Sequence, residues 1–144
     1  MSGYDEKKAN DFVGKVLGDS AAVTTTALAS IGDRLGLWRD LATRGPATSA
    51  ALAERLRLSE RHVREWAAGM SAAGYLEYCP TTNTFTLPAE HAPVLAKEAG
   101  PVFFGGVHQE FVSLLRPIDR VSDLGPVHKI AAVKDGDPRE PGKG

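Results

Sequence analysis

The sequence predicts a mainly α fold, a winged helix-turn-helix with a small β-hairpin wing and flanking N- and C-terminal helices. Two pairs of patterns predict it. Residues 49–56 and 60–73 each carry an apolar stripe at helical spacing, and a short turn separates them. Residues 75–78 and 84–87 alternate on either side of a polar, turn-forming segment, which is typical of a β-hairpin. Two helices joined by a tight turn and followed by a hairpin are the element order of this module.

Single residues predict the limits of the second helix. Arg57-Leu58 forms the tight turn that precedes it. Ser59 is predicted as its N-cap, because the hydroxyl can accept a hydrogen bond from an otherwise unpaired amide of the first turn. Gly74 is predicted to end the helix after Ala73, since glycine adopts the left-handed conformation of a C-cap without steric cost.

The segment from Ala9 to Leu41 is predicted to form two or three helices, after a frayed N-terminus at residues 1–8. A candidate core or dimer stripe at helical spacing comprises Phe12, Val16, Leu28, Ile31, Leu35 and Trp38. Gly18 and Gly32 would each weaken a helix by roughly 1 kcal/mol relative to alanine. The β-branched run Thr24-Thr25-Thr26 is stiff, so one continuous helix is not expected.

This apolar surface is larger than the core of a minimal winged helix requires. The part that does not cover the core would be exposed on a monomer, and large exposed apolar patches usually mark partner surfaces. We therefore expect a homodimer that forms through residues 9–38.

Beyond the hairpin, a short helix is expected at residues 94–98 and a longer apolar helix within residues 102–121. Gly105-Gly106 delays the start of the longer helix, and Pro117 bends or ends it. Residues 122–144 are rich in glycine, proline and charge without periodicity, so we expect disorder there.

Bulk properties narrow the function classes. A chain of 144 residues implies one domain, predicted over residues 9–121. A net charge of −1 argues against a strong nucleic-acid binder, because phosphate neutralisation needs an excess of cations. The single cysteine, Cys79, excludes an internal disulfide. Because no apolar run approaches ~18 residues and no signal peptide is recognisable, we expect no membrane partner and a cytoplasmic location.

DNA binding remains an open alternative. In a DNA-binding winged helix the second helix of the motif enters the major groove, where arginine can contact phosphate or guanine. The candidate contacts are Ser59, Arg61, His62 and Arg64. Four arginines and four glutamates balance between residues 46 and 78, and the wing, residues 79–84, has no lysine or arginine. A winged helix used only as a packing scaffold is therefore the competing hypothesis.

No catalytic, metal-binding or cofactor-binding constellation is found. The four histidines lack metal-ligand spacing, Cys79 has no obvious setting that lowers its pKa, and Gly105-Gly106 is not a phosphate loop. A third hypothesis is a small apolar ligand held between the helix of residues 102–118 and the N-terminal helices. Its candidate lining residues are Phe103, Phe104, His108 and Phe111.

Several short blocks carry a family resemblance when they are taken in order. These blocks are Ile31–Trp38, Leu41-Ala42, Leu52–Trp66, Ala72–Tyr78, Phe85–Leu95 and Phe103–Gly106. Together they resemble the N-terminal winged-helix domain of bacterial class I S-adenosylmethionine-dependent methyltransferases, similar in layout to the small-molecule O-methyltransferases. The resemblance covers about Phe12 to Val121.

The resemblance implies that this domain dimerises and helps to close a substrate pocket. It also implies that S-adenosylmethionine binds a following Rossmann-like domain, at an acidic residue and a glycine-rich turn after a strand. No residue of this chain matches that motif, and residues 121–144 do not resemble the continuation of the family. We therefore expect a module that is non-catalytic on its own, from a truncated or frameshifted gene or from a domain that has become independent.

Overall fold

The computed structural model describes residues 3–115; the expected tail at residues 122–144 and the expected bend at Pro117 lie outside the described residues. The chain divides into two units after Val112, and the described residues belong to the first unit except for residues 113–115 at the end of the last helix. The elements in chain order are α1 (Glu6–Arg34), α2 (Leu37–Arg44), α3 (Ser49–Leu56), α4 (Glu60–Ala72), β1 (Glu77–Cys79), β2 (Thr84–Thr86), α5 (Ala92–Leu95) and α6 (Gly105–Leu115). The predicted winged helix-turn-helix with flanking helices is confirmed.

Helix α1 is one continuous helix of 29 residues, about 44 Å long at 1.5 Å per residue. It begins earlier than expected, because the Asp5 side chain caps it by accepting a hydrogen bond from the Lys8 amide. The segment from Ala9 to Leu41 therefore holds two helices. They separate at Gly36, which has a φ of 73°, and neither Gly18 nor Gly32 interrupts α1.

The threonine run does not break α1 either. Thr25 and Thr26 donate their hydroxyls to the carbonyls four residues earlier at 2.9 and 2.8 Å, and Thr24 does so at 3.4 Å. Such bonds satisfy the hydroxyls within the helix but do not themselves stabilise it. The threonine run therefore stays helical as part of a longer helix whose C-terminal end packs in the core.

The core forms where the end of α1 meets α2, α3 and α4. Its largest fully buried side chains are Trp38, Leu37, Leu52 and Met70. Gly32 lies under both tryptophans, because a Cβ there would come within 2.6 Å of Trp38 Nε1 and of Trp66 Cζ2. Gly32, which by helix propensity weakens α1, is therefore needed for the close packing of the two tryptophans against this helix.

A buried carboxylate joins α2 to α3. The Asp40 side chain is 4% exposed and lies 3.1 Å from Arg55 and 3.5 Å from Arg44. The 3.1 Å contact is a hydrogen bond that Arg55 donates across the helix pair. A charge buried this deeply requires such partners, so the ion pair fixes how the two helices meet.

The helix-turn-helix forms nearly as predicted. Arg57 makes the turn in the left-handed conformation with a φ of 56°, and Gly74 follows α4 with a φ of 77°. Thr48 caps α3 by accepting a hydrogen bond from the Ala51 amide at 3.1 Å. Ser59 occupies the N-cap position of α4, but its side chain makes no capping hydrogen bond, so that part of the prediction is wrong.

The wing is an antiparallel hairpin in which Tyr78 pairs with Phe85, and its strands are shorter than the alternating pattern predicts. The opposite edge of β2 is also paired. Ala47, just before α3, exchanges two backbone hydrogen bonds with Phe85, at 3.1 and 2.8 Å. This bridge anchors the wing to the helical core and was not predicted.

The C-terminal elements are short. Helix α5 is a single turn, and α6 begins at Gly105. A side chain on Gly105 would collide with Phe103 and Asp33, so glycine permits close packing at the start of α6. Among residues 3–115, no helix combines the length and the apolar character needed to cross a membrane.

Candidate functional site

The N-terminal half of α1 presents an uncovered apolar face. The α1 stripe is defined as Phe12, Val13, Val16, Leu17 and Val23, which are between 45% and 65% exposed. At about 100° per residue these side chains fall within an arc of about 140°. The ion pairs Lys7–Asp11, at 2.8 Å, and Lys15–Asp19, at 2.6 Å, lie outside this arc, the first of them on the opposite side of the helix. This part of α1 is therefore an amphipathic helix whose apolar side has no cover within the chain described.

The residues predicted as one core or dimer stripe separate into two groups. Leu28 and Trp38 pack in the core, with Trp38 only 1% exposed. Phe12 and Val16 belong to the uncovered α1 stripe. Ile31 and Leu35 are 42% and 44% exposed near the end of α1. Part of the predicted pattern thus builds the domain, and the rest remains on its surface.

Helix α4 presents the predicted DNA contacts on its outer face. Ser59, Arg61, His62 and Arg64 are all exposed. Arg64 pairs with Glu60 at 3.3 Å, and Glu60 also accepts a hydrogen bond from the Ser49 hydroxyl at 2.8 Å. The charge of Arg64 is therefore partly balanced by its neighbour on the same helix, which weakens its attraction for phosphate.

The wing offers polar groups without cations. The Tyr78 hydroxyl donates to Asn83 at 2.9 Å, and residues 79–84 include no lysine or arginine. The exposed Cys79 thiol has a pKa below its usual value, chiefly because of hydrogen bonds with Thr82 and then with Thr81. The sequence shows no obvious setting that lowers this pKa, since the turn geometry that supplies these partners is not visible in it.

An open cavity of about 400 Å³ lies between the α4–β1 turn, α5 and the start of α6. We call it the two-histidine cavity; its lining residues are Ala73, Gly74, Tyr75, His91, Val94, Leu95, Phe104 and His108. Of the four residues predicted to line a pocket, Phe104 and His108 do so. Phe103 and Phe111 are not among its lining residues. The sequence hypothesis places the N-terminal helices opposite the helix of residues 102–118. In the structure the α4–β1 turn and α5 form these walls instead.

Hydrogen bonds set the orientation of one imidazole in this cavity. His91 Nδ1 lies 3.0 Å from the carbonyl oxygen of Tyr75. A carbonyl can only accept, so we assign the proton to Nδ1, which leaves Nε2 of the neutral ring as an acceptor. The Phe104 amide donates to the carbonyl of Val94 at 2.8 Å, which fixes the start of α6 against α5.

The second imidazole belongs to His108. Burial lowers its pKa below the ordinary value of 6.5, and the nearby Asp33 carboxylate opposes this by raising it. Asp33 is itself held by a hydrogen bond from the Gln109 side chain. The rings of His108 and Phe104 lie 6.2 Å apart, so an aromatic wall adjoins the imidazole.

The described residues do not fit S-adenosylmethionine. The family that the sequence resembles holds this cofactor at a glycine-rich turn after a strand, but β1 and β2 form a hairpin. Gly105-Gly106 opens a helix after a loop, and Gly105 is packed against Phe103 and Asp33. Within residues 3–115, no group of three or more histidine, cysteine or acidic side chains could hold a metal ion.

Comparison with known proteins gives one family match. The family described as the Rv2258c-like winged HTH domain matches residues 22–97, which is more than half of the chain. No curated protein matches.

Solved structures share the fold over part of their length. The chain is similar to PigF with SAH, at 24% identity and a TM-score of 0.51, over 79% of this chain and 31% of that one. It is also similar to the mitomycin 7-O-methyltransferase MmcR, at 22% identity and a TM-score of 0.55, over 72% of this chain and 29% of that one. The chain thus spans about a third of their length. Lactococcus lactis ZitR in its apo form matches at 14% identity over 92% of both chains, but with a TM-score of only 0.32.

Proposed function

Because the chain belongs to the Rv2258c-like winged helix-turn-helix family, we propose that it serves as a dimerisation and substrate-lid module of a methyltransferase and is not a catalyst on its own. The α1 stripe is the observation that carries this proposal. The shared fold with MmcR, most of whose chain lies outside the matched part, supports a role as one domain of a larger enzyme assembly. In this proposal S-adenosylmethionine binds a Rossmann-like domain and not residues 3–115.

The spacing of the α1 stripe suits pairing with a second copy of the same helix. Val13, Val16, Ser20 and Val23 follow one another at intervals of three, four and three, as do the buried positions of a coiled coil. Phe12 flanks this seam. Helix pairing would remove these side chains from water, at about 25 cal/mol per Å² of apolar surface buried. The lysine–aspartate pairs, which lie outside the apolar arc, would stay solvated.

The lid role draws on exposed aromatic groups near α6. Phe104 and Phe111 are 47% and 54% exposed, and Val102 is 50% exposed. In the proposed assembly these side chains supply apolar contacts around a bound methyl acceptor. They provide no reacting group, so their contribution is to exclude water and to shape the pocket.

The competing function is a dimeric transcriptional regulator that binds DNA through α4. Arg61 and His62 are exposed on the face that would enter the groove. Glu65, exposed on the same helix, would repel phosphate, and Arg64 is already paired with Glu60. The balance of charge on this surface therefore favours the dimerisation module over the regulator.

Two substitutions on α1 test the proposal. Val16→Glu places a charge in the α1 stripe, whereas Ala22→Glu places the same charge on the solvated face, about 120° away around the helix. In sedimentation equilibrium we expect Val16→Glu to be monomeric and Ala22→Glu to remain dimeric, with equal helix content in circular dichroism. Equal masses for the two variants would refute a dimer through this face.

A duplex-binding titration separates the two functions. We expect no salt-dependent binding beyond that of a weak nonspecific binder, with Kd above roughly 10⁻⁶ M at physiological salt. Tight binding that Arg61→Ala with Arg64→Ala abolishes, while the dimer persists, would instead establish the regulator.

A further inference from the structure

We propose that the two-histidine cavity binds a small, planar, uncharged aromatic molecule that carries an N–H hydrogen-bond donor. The site is formed entirely within the winged-helix unit, so it does not depend on the α1 stripe or on a catalytic domain. The two-histidine cavity would therefore be a ligand site of the winged-helix domain itself.

The size and walls of the cavity suit a bicyclic aromatic ring. Its volume of about 400 Å³ lies within the range of ~300–1,000 Å³ usual for small-molecule pockets. Val94 and Leu95 provide aliphatic contacts, and Tyr75 adds an aromatic one. Phe104 lines the cavity yet remains 47% exposed, so a ring stacked beside it would remove apolar surface from water.

The polar groups of the cavity select an uncharged donor. His91 Nδ1 is held by the Tyr75 carbonyl, so Nε2 is the ring atom that can accept a hydrogen bond from a ligand. No lysine or arginine is among the lining residues. The negative charge of the Asp33 carboxylate lies close enough to His108 to interact with its imidazole. An anion would therefore lack a cationic partner and meet a negative charge, whereas a neutral N–H donor finds an acceptor.

Indole and 1-methylindole are the matched probes, because they differ only in the N–H donor. We would titrate each into the ¹⁵N-labelled chain and follow amide chemical shifts. We expect saturable shifts confined to the amides around Tyr75, His91, Phe104 and His108. One lost neutral hydrogen bond should make 1-methylindole about fivefold weaker than indole.

Matched variants locate the site. Phe104→Ala removes the aromatic wall and should weaken indole binding about tenfold. Tyr4→Ala removes an exposed aromatic ring that is not among the lining residues and should leave binding unchanged. His91→Phe should reduce the ratio of indole to 1-methylindole affinity to about one, a readout that a merely structural role of His91 would not move.

Three results would overturn the proposal. The first is the absence of saturable shifts with indole at millimolar concentration. The second is an equal effect of Phe104→Ala and Tyr4→Ala. The third is 1-methylindole binding as tightly as indole to the unmodified chain.

Discussion

Trp38 and Trp66 meet edge to face, with ring centroids 4.8 Å apart and an interplanar angle of 64°. Their indole nitrogens donate to consecutive carbonyls of α1, Trp38 to Ala29 at 3.0 Å and Trp66 to Leu28 at 2.9 Å. One tryptophan comes from α2 and the other from α4, so this pair ties both helices to α1. Edge-to-face pairs contribute about 0.5–1.5 kcal/mol beyond their burial.

Gly32 makes this tryptophan pair possible. We predict that Gly32→Ala lowers the free energy of unfolding by about 1–3 kcal/mol, because its methyl group would meet both indole rings. Gly18→Ala is the matched control, since nothing lies within 4 Å of that position, and it should raise stability by up to about 1 kcal/mol. Urea denaturation of both variants checks the opposite signs; a stabilising Gly32→Ala would contradict the packing described.

The two N-caps of the helix-turn-helix should respond differently to alanine. Thr48→Ala removes a capping hydrogen bond and should cost about 1 kcal/mol. Ser59→Ala removes a side chain that makes no such bond, so the cost should be clearly smaller. Thermal or urea unfolding of the two variants tests this, and equal losses would show that Ser59 caps α4 in solution.

Replacing the two arginines that contact the buried Asp40 carboxylate should destabilise the domain by unequal amounts. Arg55→Met leaves a charge that is 4% exposed with only the longer contact to Arg44, and should destabilise the domain by about 2–3 kcal/mol. Arg44→Met removes an exposed partner and should cost at most about 1 kcal/mol. Denaturation curves for both variants distinguish them, and the reverse order would contradict the assigned ion pair.

His108 should give stability a dependence on pH. Burial lowers its pKa in the folded state below 6.5, despite the opposing effect of Asp33, so the unfolded chain binds more protons. The corresponding stability is present above about pH 6.5 and is lost as the pH falls through the folded-state pKa. Subtracting the unfolding free energy of His108→Gln from that of the unmodified chain at each pH should reveal this decline. Parallel pH curves would contradict it.

Local signals explain how much of the fold could be predicted. Helix α3 matches its predicted bounds and α4 ends one residue early, because stripe spacing and the left-handed Gly74 both act within a few residues. The hairpin could be predicted for the same reason, because its polar turn and alternating strands are also local signals. Helix α1 was expected to be broken because propensity alone disfavours Gly32 and the threonine run. Tertiary packing against the tryptophans outweighs that propensity, and the threonine hydroxyls are satisfied by carbonyls of the same helix.

The candidate sites depended on contacts between distant residues. The two-histidine cavity combines His91 with Tyr75, 16 residues earlier, and with His108. Nothing in the spacing of these residues indicates that they meet, so only Phe104 and His108 were named among its lining. The pairing of Ala47 with Phe85 is non-local in the same sense. Pattern analysis could find the apolar residues of α1, but not which of them the core would cover.

The most direct test of the central proposal is the mass of the unmodified chain in solution. Sedimentation equilibrium over a range of micromolar concentrations should give twice the 15.3 kDa of one chain, because the α1 stripe would be covered by a second copy. A mass of 15.3 kDa at every concentration would contradict the dimerisation module.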